Sequence, residues 1–152
     1  MTAQPLRPFV SDLLAGRTAL VTGGGSGLGR AIAEGLSAAG ASVVIAARRK
    51  ERLDAAAIEI SATTGNSVTV DVVDIRDRAT VEALAGRHEV DILINNAAGQ
   101  FPQKARDFSP NGWASVIDLN LNGTWAMTQV FGNQMLDGEG GSIVQIVAIV
   151  GR

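Results

Sequence analysis

Short apolar runs alternate with longer stretches whose apolar residues recur at helical spacing, and this alternation narrows the folds open to the 152-residue chain more than any other feature. Compact strands separated by helices read as successive βαβ units, because parallel neighbours need a crossover of a dozen or more residues. Thr18–Thr22 reads as a buried strand, and Leu28, Ile32, Leu36 and Ala39 mark a helix that Gly40 stops. Ser42–Ala47 is the second strand, and Leu53, Ala56, Ala57 and Ile60 mark a helix closed by Thr64-Gly65-Asn66. Ser67–Val73 alternates into a third strand, Arg78–Arg87 fits a short helix, and Asp91–Ile94 is the fourth strand. A polar loop carries the chain from Asn95 to Arg106. A long helix from Pro110 to Met135 then places Trp113, Val116, Ile117, Asn120, Thr124 and Phe131 near one face. Ser142–Val147, extending toward Val150, is the fifth strand.

Right-handed crossovers give an α/β, Rossmann-type doubly wound parallel sheet of order 3-2-1-4-5. Residues 1–16 read as an N-terminal arm, and residues 17–152 as one dinucleotide-binding domain. The switch point between strands 1 and 4 places a ligand beyond their C-terminal ends. Composition agrees with a folded chain of this class: 46% of residues are hydrophobic and the net charge is −2. So small a charge argues against nucleic acid as a partner, the one basic cluster being Arg48-Arg49-Lys50. The chain has no cysteine and a single histidine, His88, which argues against thiolate and imidazole metal sites. No run long enough to span a membrane and no secretory leader is visible, so a cytoplasmic protein without a membrane partner is expected.

Thr22-Gly23-Gly24-Gly25-Ser26-Gly27-Leu28-Gly29 joins the first strand to the first helix. Glycines permit positive φ and close backbone approach, and a helix start offers unpaired N–H groups and a positive dipole end to a pyrophosphate. A plain tight turn is the other reading of the same residues. Their position between a buried strand and an amphipathic helix favours phosphate binding.

Four motifs in order resemble the short-chain dehydrogenase/reductase superfamily: this turn, Asp74 after strand 3, Asn95-Asn96-Ala97-Ala98-Gly99 after strand 4, and Asn120 in Asp118–Thr124. The resemblance implies a nicotinamide dinucleotide cofactor held by Thr22, Gly23, Gly25, Ser26, Gly27, Leu28, Gly29, Arg48, Asp74, Ile75, Asn96, Ala97, Ala98 and Gly99. It implies that Asp74 accepts a hydrogen bond from the adenine amino group and that Asn95 ties the sheet together behind the cofactor. Singly, Asp74 also reads as a turn residue and Asn95 as a loop-start cap.

A carboxylate near the end of strand 2 would bind the ribose hydroxyls of NAD(H) and repel a 2′-phosphate. Ala46-Ala47-Arg48-Arg49 stands there instead, which favours NADP(H) over NAD(H). A solvated cluster at a helix start is the plainer reading of Arg48 and Arg49.

The resemblance assigns hydride-transfer chemistry to a Ser, a Tyr-x-x-x-Lys pair and an Asn. Asn120 matches the Asn, as a catalytic residue or as a buried amide satisfied by backbone. Ile146-Val147-Ala148-Ile149 occupies the place of the Ser, and the chain has no tyrosine. By its resemblance the domain is cut short after the fifth strand, leaving that strand as an apolar edge open to self-association.

Within the superfamily, Asn96–Phe101, Ser109–Trp113 and Leu121–Thr124 resemble the 2,4-dienoyl-CoA and trans-2-enoyl-CoA reductase branch, which implies fatty acid metabolism and an acyl-CoA substrate. Reducing a C=C bond conjugated to a thioester puts charge on the thioester oxygen, which calls for hydrogen-bond donors more than for a tyrosine acid. Gln100, Gln103 and Lys104 then line the acyl-CoA site or are solvated loop residues. The alternatives are a non-catalytic nucleotide-binding fragment and a carbonyl or alcohol oxidoreductase. By helix geometry Asn122 points away from Asn120.

Overall fold

The computed structural model describes residues 10–148. Strands β1 (Thr18–Thr22), β2 (Ser42–Ala47), β3 (Val68–Val72), β4 (Ile92–Asn95) and β5 (Ser142–Gln145) alternate with helices α1 (Gly27–Ala38), α2 (Lys50–Thr64), α3 (Arg78–Ala85), α4 (Pro110–Ile117) and α5 (Thr124–Asp137). All four strand pairings are parallel, and the order is β3-β2-β1-β4-β5, as expected from the sequence. In register, Val21 lies between Ile45 and Ile94.

Successive strand residues point to opposite faces, so β1 feeds two cores. Leu20 joins Val44, Ala46, Leu93, Met127 and Phe131 beneath α3 and α5. Ala19 and Val21 join Val43, Ile45, Leu53 and Ile60 beneath α1 and α2. Strands covered on both faces explain why β1 and β2 read as continuous apolar runs rather than alternating ones.

The ends of the elements follow local chemistry. Asp77 caps α3 by accepting from the Ala79 N–H, and Ser109 caps α4 by accepting from the Gly112 N–H, with Pro110 in the first turn. Gly65 ends α2 in the left-handed conformation at φ 79°. At the base of the sheet Asp91 accepts from the Thr18 N–H at 2.8 Å and pairs with Arg17 at 2.7 Å. Within the expected arm, residues 11–16 form turns that dock on the end of α1, the Leu14 N–H donating to the Ala39 carbonyl at 2.8 Å.

Three expectations need correction. The helix from Pro110 is not uniform, because a π segment, Asp118–Gly123, separates α4 from α5. The wider turn rotates α4 relative to α5, so Trp113, expected on the inward face, is 63% exposed, whereas Phe131 is fully buried. Strand β5 ends at Gln145 rather than Val147, and its expected extension toward Val150 falls largely outside the described residues.

Truncating Phe131 to Ala is expected to destabilise the fold by about 3–5 kcal/mol in urea unfolding, the usual cost of emptying a buried aromatic site. A loss under about 1 kcal/mol would contradict the packing of α5 on the sheet.

Candidate functional site

The Gly-rich turn is held from three sides. Its first N–H, of Gly23, donates to the Ala46 carbonyl of β2 at 2.8 Å. Gly23 and Gly27 have φ of 69° and 55°, values that disfavour any side chain. A methyl group at Gly29 would overlap the Gly23 carbonyl and the Asn96 side-chain amide, so this glycine lets α1 approach the loop after β4. Ser26, in the N-cap position, makes no side-chain cap, and the first turn of α1 contains no acid. The N–H groups there are left to a ligand, at the positive end of the helix dipole.

Thr22, expected among the cofactor contacts, lies behind the cleft and is 1% exposed. Its hydroxyl oxygen accepts from the Asn96 and Ala97 N–H groups at 3.0 Å each and donates to the Ile94 carbonyl at 3.2 Å. The Asn96 side chain returns a bond to the Thr22 carbonyl at 2.9 Å. These contacts fasten the loop after β4 to the phosphate turn. Asn95 is buried; its amide donates to Thr128 Oγ1 at 3.1 Å, and its Oδ1 has no partner among the described residues.

A cleft of about 290 Å³ opens at the C-terminal ends of β1, β2 and β4. Of the expected cofactor residues, Gly23, Gly25, Ser26, Leu28, Gly29, Arg48, Asp74, Ile75, Asn96, Ala97 and Ala98 line it; Thr22, Gly27 and Gly99 do not. Arg49, weighed with Arg48 in the sequence, also lines it, as do Arg52 and Leu119, which were not singled out. Spacing could have found Arg52, which follows Arg48 and Arg49 by one helical turn. Among the described residues no carboxylate forms an ion pair with Arg48, Arg49 or Arg52. The Arg76 guanidinium, held side-on, keeps the Asp74 carboxyl below the usual carboxylate range; burial opposes this, while the Arg76 N–H and Arg48 reinforce it.

A second cleft of about 370 Å³ adjoins the first, sharing Ala97 and Ala98, and is lined also by Asn95, Gly99, Gln100, Asn120, Thr124, Gln145 and Ile146–Ala148. Asn120 sits in the π segment and grips one peptide residue from both sides. Its Oδ1 accepts from the Gly99 N–H at 3.0 Å, and its Nδ2 donates to the Gly99 carbonyl at 2.8 Å. Both bonds go to backbone and Asn120 is half-buried, with one N–H and one lone pair of its amide uncommitted. Asn122 instead donates to Asp118 Oδ1 at 2.9 Å on the exposed side. Gln100 faces the second cleft, and Val147 and Ala148 bring no hydroxyl to it. Gln103 and Lys104 are exposed and line neither cleft.

Residues 17–152 match the short chain dehydrogenase family, and the chain belongs to it. It is 42% identical over 154 aligned positions to a probable 2,4-dienoyl-CoA reductase of Caenorhabditis elegans, covering 95% of this chain and 50% of that protein. A peroxisomal 2,4-dienoyl-CoA reductase of Danio rerio is 39% identical, with 94% of this chain and 49% of that protein covered. A solved short chain dehydrogenase of Shigella flexneri 2a, complexed with NADP, superposes with a TM-score of 0.82 at 28% identity, covering 90% of this chain and 60% of that one. The chain thus spans about half the length of the curated relatives it matches.

Three substitutions test this geometry. Gly29→Ala is expected to destabilise the fold and abolish dinucleotide binding, whereas Gly35→Ala, in open space on the same helix, is expected to be neutral or to stabilise by about 0.5–1 kcal/mol. Thr22→Val leaves the half-buried Asn96 and Ala97 N–H groups without their acceptor and is expected to cost about 1–3 kcal/mol in denaturant unfolding. Survival of Gly29→Ala with full binding would contradict the tight approach of α1.

Proposed function

We propose that the chain carries the cofactor site and part of the substrate site of an NADP(H)-dependent reductase acting on a C=C bond conjugated to an acyl-CoA thioester. The observation that carries the cofactor choice is the end of β2, where Arg48 and Arg49, with Arg52 of α2, line the cleft without a carboxylate partner among the described residues. The donor set fits an adenine dinucleotide. Uncapped N–H groups at the start of α1 suit a pyrophosphate, the arginines suit a 2′-phosphate, and the ionised Asp74 suits an amino group on the base. Asn96–Gly99 would form the floor near the nicotinamide end. Thr22 and Gly27 contribute through the shape of the turn.

When bound, the dinucleotide supplies the hydride. The chain's own residues bind it, hold it against the sheet and place polar groups around the second cleft. Asn120 fixes the Gly99 peptide, and with it the floor between the two clefts. Gln100 lines the second cleft, and its carboxamide carries N–H donors of the kind that stabilise negative charge developing on a thioester oxygen. The absence of a hydroxyl at Val147-Ala148 suits this chemistry better than carbonyl reduction, and the 2,4-dienoyl-CoA reductases among the relatives support the same substrate class. The activity belongs to a protein of the relatives' length. A chain that binds nucleotide without turnover is the second reading, which the lack of a hydroxyl at Val147-Ala148 fits as well.

Among the described residues no helix is long and apolar enough to cross a membrane, and a peroxisomal enzyme among the relatives sets a second compartment beside the cytoplasmic one expected from sequence.

Nicotinamide fluorescence titrations of Arg48→Ala test the cofactor choice. The affinity for NADPH is expected to fall about tenfold or more, as for loss of a charge-assisted contact, with NADH changed by about twofold at most. Equal losses for the two would overturn the assignment. Consumption of NADPH on adding a 2,4-dienoyl-CoA separates the reductase from the binding fragment.

A further inference from the structure

Asp74 is not a free acceptor at the rim of the cleft. Arg76, two residues on, donates its backbone N–H to Oδ1 at 3.1 Å and its Nε to both oxygens at 2.9 and 3.2 Å, and its Nη2 bonds Oδ2 as well. This side-on fork holds the carboxylate plane as well as its charge. The ion pair is 38% and 30% exposed on its two side chains, where such pairs contribute little to stability. The fold therefore has small need of it. The pair sits where Asp74 lines the first cleft, with Arg48 acting on it from the end of β2 and Asp118 of the π segment drawing on Arg76 from the other side.

We infer that Arg76 is a positioning residue that holds the Asp74 carboxylate in one orientation at the cleft, and so makes the site select a 6-amino purine over a 6-oxo purine. The inference rests on the dinucleotide reading above and adds a determinant of base choice to it. An ionised carboxylate has lone pairs only. It receives a bond from a 6-amino group and repels a 6-oxo group, so rejection of the wrong base is as much a part of the selectivity as attraction of the right one. Without Arg76 the carboxylate turns about its own side-chain bonds, and the loss of a fixed orientation blurs that distinction.

The test compares NADPH with its deaminated hypoxanthine analogue by nicotinamide fluorescence, in the unaltered chain, in Arg76→Ala and in Asp74→Asn. The unaltered chain is expected to prefer the adenine form by about tenfold or more, the share of affinity that one charge-assisted hydrogen bond contributes. Arg76→Ala is expected to reduce this preference to about threefold or less, close to that of Asp74→Asn. Because each variant is its own reference for folding, the ratio reads base choice rather than stability. If Asp74→Asn loses the preference and Arg76→Ala keeps it, or if the unaltered chain has none, the role of Arg76 is refuted. If the folded chain binds neither dinucleotide, the underlying reading fails instead.

Discussion

The structure depends on one close approach of backbone to backbone, where α1 begins hard against the end of β1 and the loop after β4. Gly29 permits it, since any side chain there would collide with the Gly23 carbonyl and the Asn96 amide. The buried Thr22 hydroxyl then fastens the end of β1 to β4 and the loop after it by three hydrogen bonds. Everything functional is placed by this junction. It aims the uncapped start of α1 at the cleft, sets the floor formed by Asn96–Ala98, and brings the end of β2 within reach of the same cavity.

The fold was legible because its signals are long and repeated. Strands buried on both faces give unbroken apolar runs, helices give a different period, and right-handed crossovers leave few orders for five parallel strands. The phosphate turn was legible for the same reason, its glycines standing between two strongly patterned elements. The π segment was not, because the sequence Asp118–Gly123 keeps helical spacing and the widened turn comes from packing, with Gly123 pressed against Ile75. Trp113 was misplaced as a consequence. Thr22 was read as a ligand contact because position alone cannot distinguish a residue in a cleft from one behind it. Arg76 carried no signal beyond being charged, and its grip on Asp74 emerges only from the turn geometry.

Electrostatics divides the site into two regions. In the first cleft, arginines just after β2 and in α2 face one carboxylate, a distribution that suits a phosphate and leaves a single anionic acceptor. At the other end the lining is neutral, built from the amides of Asn95, Gln100, Asn120 and Gln145 with the Thr124 hydroxyl. Neutral donors suit charge that develops and disperses on an oxygen; they do not suit delivery of a full proton. Asn95, one of the residues lining this second cleft, keeps a buried Oδ1 without a partner among the described residues.

The most direct measurement of the central claim is an NADPH titration of the isotopically labelled chain followed by its backbone amide resonances. The account predicts that the amides of Gly25–Gly29 show the largest shifts and become protected from hydrogen exchange at saturation. A folded chain whose resonances in this turn stay unmoved, at concentrations that shift others or none, would contradict it.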